Sequence, residues 1–290
     1  MHFVDAKIIL TANSGMHGMN IYRGCTHGCI YCDSRSLCYG FTHAFEDIEV
    51  KRNAPELLER ELRSKRKTCM IGTGAMSDPY MHCEKELMLT RRCAEVISKH
   101  GFGFAVQTKS DLILRDIDLL DEINRNAKCV VQMTLTAYDD ELCGIIEPNV
   151  CNTRRRIEVL HKMREHGIPT VVWLTPILPF IYDTPENILA ILRECADAGV
   201  KGIITFGMGV TLREGDREYF YAALDRHFPG LKDRYIRSYG NAYELPSPNT
   251  AQLMRIFNDF CAEHGIMYTP QSCFAYMNTL PDKHEQLSFF

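Results

Sequence analysis

Short apolar runs rich in β-branched residues alternate along this chain with longer stretches whose apolar positions recur every three or four residues. The runs at 68–73, 104–108, 129–136, 170–175 and 202–206 read as buried strands. The stretches at 84–100, 111–125, 153–166, 184–198 and 213–228 read as amphipathic helices between and after them. An early strand near 19–23 and a helix near 55–65 complete roughly six strand–helix units. Stop and start signals support the boundaries. Gly101, Gly167 and Gly199 follow the last turns of three helices, and Pro169 stands just beyond one of them. Asp183-Thr184-Pro185-Glu186 supplies an N-cap with proline at the first helical position.

Repeated strand–helix units imply a parallel sheet with right-handed crossovers. Six units are too few for a closed eight-stranded barrel. The expected fold is therefore α/β, a partial (β/α)6 TIM-like barrel; a doubly wound open sheet is the rival. Both place a ligand at the carboxyl ends of the strands. No low-complexity linker divides the chain. The expected organisation is a core over 1–230, an extension packed on it over 231–280, and a tail over 281–290.

Composition narrows the class. The 290 residues are 46% hydrophobic and 24% charged, with a formal net charge of −4. That is a globular composition with no global field toward nucleic acid or an anionic membrane. No apolar run is long enough to span a bilayer, and the first residues lack a signal peptide's pattern. A cytoplasmic protein is expected.

Thirteen cysteines, an odd number, read in such a protein as metal ligands, reactive thiols or small core residues. Ten are scattered and read as packing. Cys25, Cys29 and Cys32 form CxxxCxxC in a glycine-bearing loop after the first strand. Three thiolates at this spacing bind three irons of a cubane and leave the fourth without a protein ligand, where iron–sulfur clusters usually take four cysteines. Zinc is the competing reading, with Cys38 or His27 as a fourth ligand, but no second CxxC pair is present.

The CxxxCxxC loop, with aromatic Tyr31 just before its third cysteine, resembles the signature of the radical SAM superfamily. Further segments resemble the spore photoproduct lyase-like group within it: Tyr22-Arg23-Gly24-Cys25, Cys32-Asp33-Ser34-Arg35, Gly72-Thr73-Gly74-Ala75-Met76-Ser77-Asp78-Pro79-Tyr80, Thr108-Lys109-Ser110, Glu147-Pro148 and Pro176-Ile177-Leu178-Pro179. The resemblance implies a 4Fe–4S cluster held by Cys25, Cys29 and Cys32, reductive cleavage of S-adenosylmethionine, and a deoxyadenosyl radical that abstracts hydrogen. It implies that the segment containing Gly74, Ser77 and Asp78 passes beside S-adenosylmethionine. It also implies that Lys109 pairs with the methionine carboxylate and that Thr134 bonds the ribose or amino group. Arg156 is a weaker match. An electron donor such as a flavodoxin or ferredoxin is implied too.

Two departures set the substrate apart. The lyases carry a cysteine hydrogen donor where this chain has Ala75, and a tyrosine where it has Asp33. Cys83 is a candidate replacement thiol, with core packing as its alternative. Gln286-Leu287-Ser288-Phe289-Phe290 resembles the peptide by which DNA polymerases and repair proteins dock on the DNA sliding clamp, which would point to DNA; packing of the two phenylalanines on the protein's own surface is the alternative. The basic clusters 63–67 and 154–156 are candidate phosphate contacts. Tyr219, Phe220, Tyr221, Tyr235 and Tyr239 are candidate stacking residues, although core packing explains their helical spacing. The expected activity is a radical SAM enzyme acting on DNA, as a repair-type lyase or modifying enzyme. A protein, peptide or metabolite substrate is the alternative, and an adaptor holding zinc or an iron–sulfur cluster is the non-enzymatic one.

Overall fold

The computed structural model describes residues 1–13 and 16–281. The clamp-like segment 286–290 therefore lies outside the described residues. A seven-stranded sheet forms the centre. Its strands are β1 (Leu10–Asn13), β2 (Met16–Met19), β3 (Met70–Thr73), β4 (Gly103–Thr108), β5 (Cys129–Thr134), β6 (Thr170–Trp173) and β7 (Gly202–Ile204). They lie in the order β7-β6-β5-β4-β3-β2-β1. β1 and β2 form an antiparallel pair; every other pairing is parallel. The successive crossovers carry α1 (Ala54–Arg63), α2 (Leu89–Lys99), α3 (Ile117–Asn126), α4 (Thr153–Glu165) and α5 (Pro185–Asp197). A doubly wound sheet reverses its strand order at a switch point. Here β2 to β7 follow one another without reversal and the end strands do not pair, so the fold is an open, partial (β/α)6 barrel.

Three sequence expectations shift. The early strand divides: β2 ends at Met19, while Tyr22–Arg23 joins a separate three-stranded sheet with His2–Val4 and Glu49–Lys51. Lys51 makes the break between them by donating its backbone N–H to the Ile21 carbonyl and its Nζ to the Asn20 carbonyl, at 3.1 and 2.8 Å. The helix expected over 84–100 splits at Met88, whose φ of 51° ends one helix before α2 begins. The helix expected from 213 starts at Asp216, after Gly215 with φ 98°. The cap at Thr184 forms as expected, its side chain accepting the Asn187 N–H at 3.2 Å.

Alternation along the strands sets the interior of the barrel. Its lowest layer is apolar. Met70, Ala105, Val130, Val171 and Ile204 pack on Cys273 and Met277 of the helix Pro270–Asn278, which fills the base. One period up come Gln107, Gln132 and Trp173; above them stand Lys109 and Thr134. The layers thus grade from apolar to polar toward the carboxyl ends. The helix Thr250–Glu263 packs outside, against α5. No helix among the described residues is long and apolar enough to cross a membrane.

Candidate cofactor site

The CxxxCxxC loop leaves the strand Tyr22–Arg23 through Gly24, whose φ of 90° suits glycine. A Cβ there would stand 2.4 Å from the Phe45 carbonyl oxygen, the same oxygen that accepts the Cys25 N–H at 3.1 Å. Behind the loop, Ile30 N–H donates to Ile146 O at 2.9 Å and Asn149 N–H to His27 O at 3.1 Å. Asn149 Nδ2 also donates to Thr26 O at 3.0 Å. The segment 146–149 therefore clasps the loop from outside.

Cys25 and Cys29 are buried and Cys32 is half-buried. Burial pushes the Cys25 thiol up to about 12, with the Asp78 carboxylate adding to it. Cys29 and Cys32 are also raised, by burial first, while the Lys109 ammonium opposes the rise. Thiols held this high ionise only against a strong positive charge, which a bound metal provides. One zinc with bonds of about 2.3 Å would draw its sulfur ligands to within about 4 Å of one another. No three cysteine ligand atoms among the described residues meet within 4.8 Å. The donor set fits a multi-iron cluster, in which each thiolate reaches its own iron, better than a single shared ion.

Beside Cys32 opens a cavity of about 700 Å³ at the carboxyl ends of the strands. Tyr31, Lys109 and Thr134 line it, as do Ala75 and Met76. The lining contains Asp33 as well, whose Oδ1 stands 3.1 Å from Arg213 Nε. Trp173 and Phe206 form one side, with ring centres 6.1 Å apart, and Phe274 stacks behind Phe206 at 6.4 Å. The Lys109 ammonium lies 5.9 Å from the centre of the Tyr31 ring. Burial draws its pKa down, but Cys29 and Glu147 outweigh that and the net shift is upward. Lys109 is thus a cation held in the cavity wall.

The other expected residues sit behind that wall. At Gly74 (φ 103°) the chain passes so close to β4 that a Cβ would stand 2.0 Å from the Gln107 carbonyl oxygen. Ser77 and Asp78 are buried and absent from the lining. Asp78 is a hub instead. Its Oδ1 accepts the Thr108 hydroxyl and the Tyr80 N–H at 2.7 and 2.8 Å. Its Oδ2 accepts the Lys109 N–H at 2.8 Å and stands 3.4 Å from His27 Nδ1. One carboxylate therefore joins the cysteine loop to the ends of β3 and β4. Burial lowers the His27 pKa, and Asp78 pulls the other way.

Arg156 is fully buried, so the run 154–156 is no uniform basic face. Its Nη1 lies 2.5 Å from Glu147 Oε2 and 3.1 Å from the Thr134 carbonyl. The Tyr31 hydroxyl donates to Glu147 Oε1. Phe220 and Tyr235 are buried in the core and are not stacking residues. Cys83 packs at the start of the helix Glu84–Leu87, outside the cavity lining, its thiol raised to about 11 chiefly by burial. Two buried carboxylates leave no mark in the sequence. Glu147 belongs to a motif, but nothing beside it names its partner. Glu84 is fully buried and accepts from Tyr22, Thr90 and Arg115. Trp173 was also missed, though it is the one tryptophan of the chain.

The sequence model of the radical SAM superfamily matches residues 19–183. Uncharacterized proteins of Mycobacterium bovis and Mycobacterium tuberculosis are 30% identical over 250 residues, which span 82% of this chain and 71% of theirs. A protein of Pseudomonas phage M6 named radical SAM Nα-GlyT isomerase is 22% identical over 271 residues, 90% of this chain and 54% of its own. Spore photoproduct lyase complexed with dinucleoside spore photoproduct shares the fold at a TM-score of 0.60 and 13% identity, over 87% of this chain and 75% of that one. A variant of the same lyase with bound AdoMet matches at a TM-score of 0.61, also with 13% identity and the same shares.

Proposed function

The chain belongs to the radical SAM superfamily, whose members use a 4Fe–4S cluster and S-adenosylmethionine, and on that premise we propose that Cys25, Cys29 and Cys32 hold the cluster and that the enzyme acts on a base of DNA. The observation that carries this reading is the cavity at the strand ends, whose wall contains Cys32, Lys109 and Thr134 together. When bound, the two cofactors supply a deoxyadenosyl radical that takes a hydrogen atom from the substrate.

The chain's own groups have separable tasks. The Lys109 ammonium pairs with the methionine carboxylate, a charge-assisted contact that orients the sulfonium end. The Thr134 hydroxyl bonds the ribose or amino group. Asp78 and Gly74 hold the wall in place from behind. Trp173 and Phe206, their rings tilted 53° to one another, offer apolar ring faces on which a base stacks. A DNA substrate also draws support from the dinucleoside photoproduct named for the lyase of the same fold. A flavodoxin or ferredoxin is the expected electron donor.

Ala75 bears on the reaction type. It lines the cavity, and Cys32 is the only thiol beside it there. With Cys32 on iron, no free thiol of the lining is left to return hydrogen to the product. A rearrangement in which deoxyadenosine returns the hydrogen suits such a site better than dimer cleavage, and the phage relative is named an isomerase. A peptide or metabolite substrate is the second reading.

The test is anaerobic reconstitution, then dithionite and S-adenosylmethionine with modified and unmodified oligonucleotides. Without substrate, uncoupled turnover should release methionine and deoxyadenosine, and an accepted oligonucleotide, whose turnover takes the hydrogen back from deoxyadenosine, should change that rate. No deoxyadenosine from a fully loaded protein would end the reading. Equal turnover with every oligonucleotide and with none would end the DNA assignment.

A further inference from the structure

A second group of ligand-type side chains stands on the small sheet, away from the cavity. His2, His43 and Glu49 each offer one ligand atom, and the three atoms lie within 4.8 Å of one another. Among the described residues no other three His, Cys, Asp or Glu side chains come together so closely. Backbone pairing explains part of this: His2 and Glu49 are register partners on adjacent parallel strands. His43 joins them from the loop before Glu49.

Both imidazoles are already oriented. His2 Nδ1 lies 3.0 Å from Asp47 Oδ2, and His43 Nδ1 lies 3.0 Å from the Ala44 carbonyl oxygen. A carbonyl only accepts, so His43 Nδ1 donates to it, and in the neutral ring the lone pair is then on Nε2. A carboxylate or carbonyl holding the far nitrogen is the arrangement found behind metal-bound histidines. His43 Nε2 is shut off from solvent and has no hydrogen-bond partner. It stands 4.0 Å from Glu49 Oε2, too far for a hydrogen bond. The two rings are nearly perpendicular, with centres 4.8 Å apart. Two imidazoles on one tetrahedral ion, with bonds of about 2.0–2.1 Å, have centres roughly 5 Å apart. Arg23 Nη1 also lies 4.0 Å from Glu49 Oε2, but its Nη2 is held by the Tyr39 and Gly40 carbonyls. A cation taking that oxygen would leave those bonds intact.

We propose that His2, His43 and Glu49 form a zinc site, with water in the fourth position and Asp47 orienting His2. Two neutral imidazoles and one carboxylate are a zinc donor set. The ion would pin the segment 43–49, which carries the Phe45 carbonyl that receives the Cys25 N–H. It would thus brace the entry to the cysteine loop from outside the cluster.

The experiment uses the full chain with its cluster already reconstituted, so that the cluster cysteines are occupied. Equilibrium dialysis against Zn²⁺ should show one zinc per chain in addition to the iron. His43→Ala and Glu49→Gln should each weaken zinc binding by at least tenfold, and Asp47→Asn by roughly 10- to 100-fold. Co²⁺ in place of zinc should give visible d–d bands without a thiolate charge-transfer band. Circular dichroism and iron content show that each variant is folded and loaded. No bound zinc in the wild-type chain at micromolar free metal would overturn the proposal. So would affinity unchanged in the Glu49→Gln protein, or a cobalt spectrum with sulfur ligation. These readouts count metal and need no turnover, so they stand or fall apart from the radical chemistry.

Discussion

Arg156 and Glu147 form an ion pair in which both side chains are 0% exposed, and the same carboxylate takes the Tyr31 hydroxyl through its other oxygen. A strand end, a helix and the cysteine loop therefore meet on one buried carboxylate. Removing one partner strands the other's charge. Arg156→Met should cost about 3–5 kcal/mol, read as a shift in the denaturant midpoint. Arg156→Met combined with Glu147→Gln should recover part of that loss. A single variant as stable as wild type would show that the pair does not hold the site together.

Among the described residues the Lys109 ammonium has no hydrogen-bond partner that would compete with a ligand; it faces the Tyr31 ring and the surrounding charges. A charge-assisted bond to a carboxylate contributes about 1.5–3 kcal/mol. Lys109→Met should therefore raise the KM for S-adenosylmethionine about ten- to a hundredfold in the uncoupled formation of deoxyadenosine. Its cluster content should stay at the wild-type level. An unchanged KM would remove Lys109 from the cofactor site.

Gly24 is tested by one methyl group. Gly24→Ala brings strain at φ 90° and places a Cβ 2.4 Å from the Phe45 oxygen, a cost of about 2 kcal/mol or more. The Cys25 N–H bond should be the first casualty. Iron and sulfide per chain should fall well below wild type after identical reconstitution. Gly40→Ala, also at positive φ (64°) but with nothing within 4 Å of the new Cβ, controls for the backbone strain without the clash and should load normally.

Asp216 predicts a pH dependence. Its carboxyl is buried with Oδ1 on the Arg213 N–H at 2.6 Å, and burial raises its pKa from 3.8 to about 6. The unfolded chain loses this proton near 3.8, whereas the folded chain keeps it until about 6. The contribution is fully present below the unfolded value. It is lost as pH rises through the folded one. Relative to Asp216→Asn, the wild-type chain should lose stability between about pH 4 and 6 and then level off. A stability difference that does not vary over that range would rule out the buried carboxyl as its source.

The strands and crossover helices were legible because burial on both faces makes parallel strands read as continuous apolar runs, and because glycine and proline mark the ends. The cysteine loop was legible because its ligands are adjacent in sequence. Glu147 and Arg156 were not, since they stand nine positions apart across a helix start and nothing local says that both face inward. Asp78 looked like a ligand because it shares a motif with the cavity wall. Its four partners come from three different segments, and no pattern along one of them reveals that. The division of the first strand was hidden for a similar reason: Lys51, which takes Asn20 and Ile21 out of the sheet, lies thirty residues away.

The helix Pro270–Asn278 fills the base of the barrel, and Leu280 reaches the neighbourhood of Gly103, the first residue of β4. Lys128, just before β5, donates to the Thr279 carbonyl at 2.9 Å. The last described residues thus leave on the amino-terminal side of the sheet, a full strand length from the cavity mouth. With the base plugged in this way, the cavity opens at the opposite, carboxyl end of the strands.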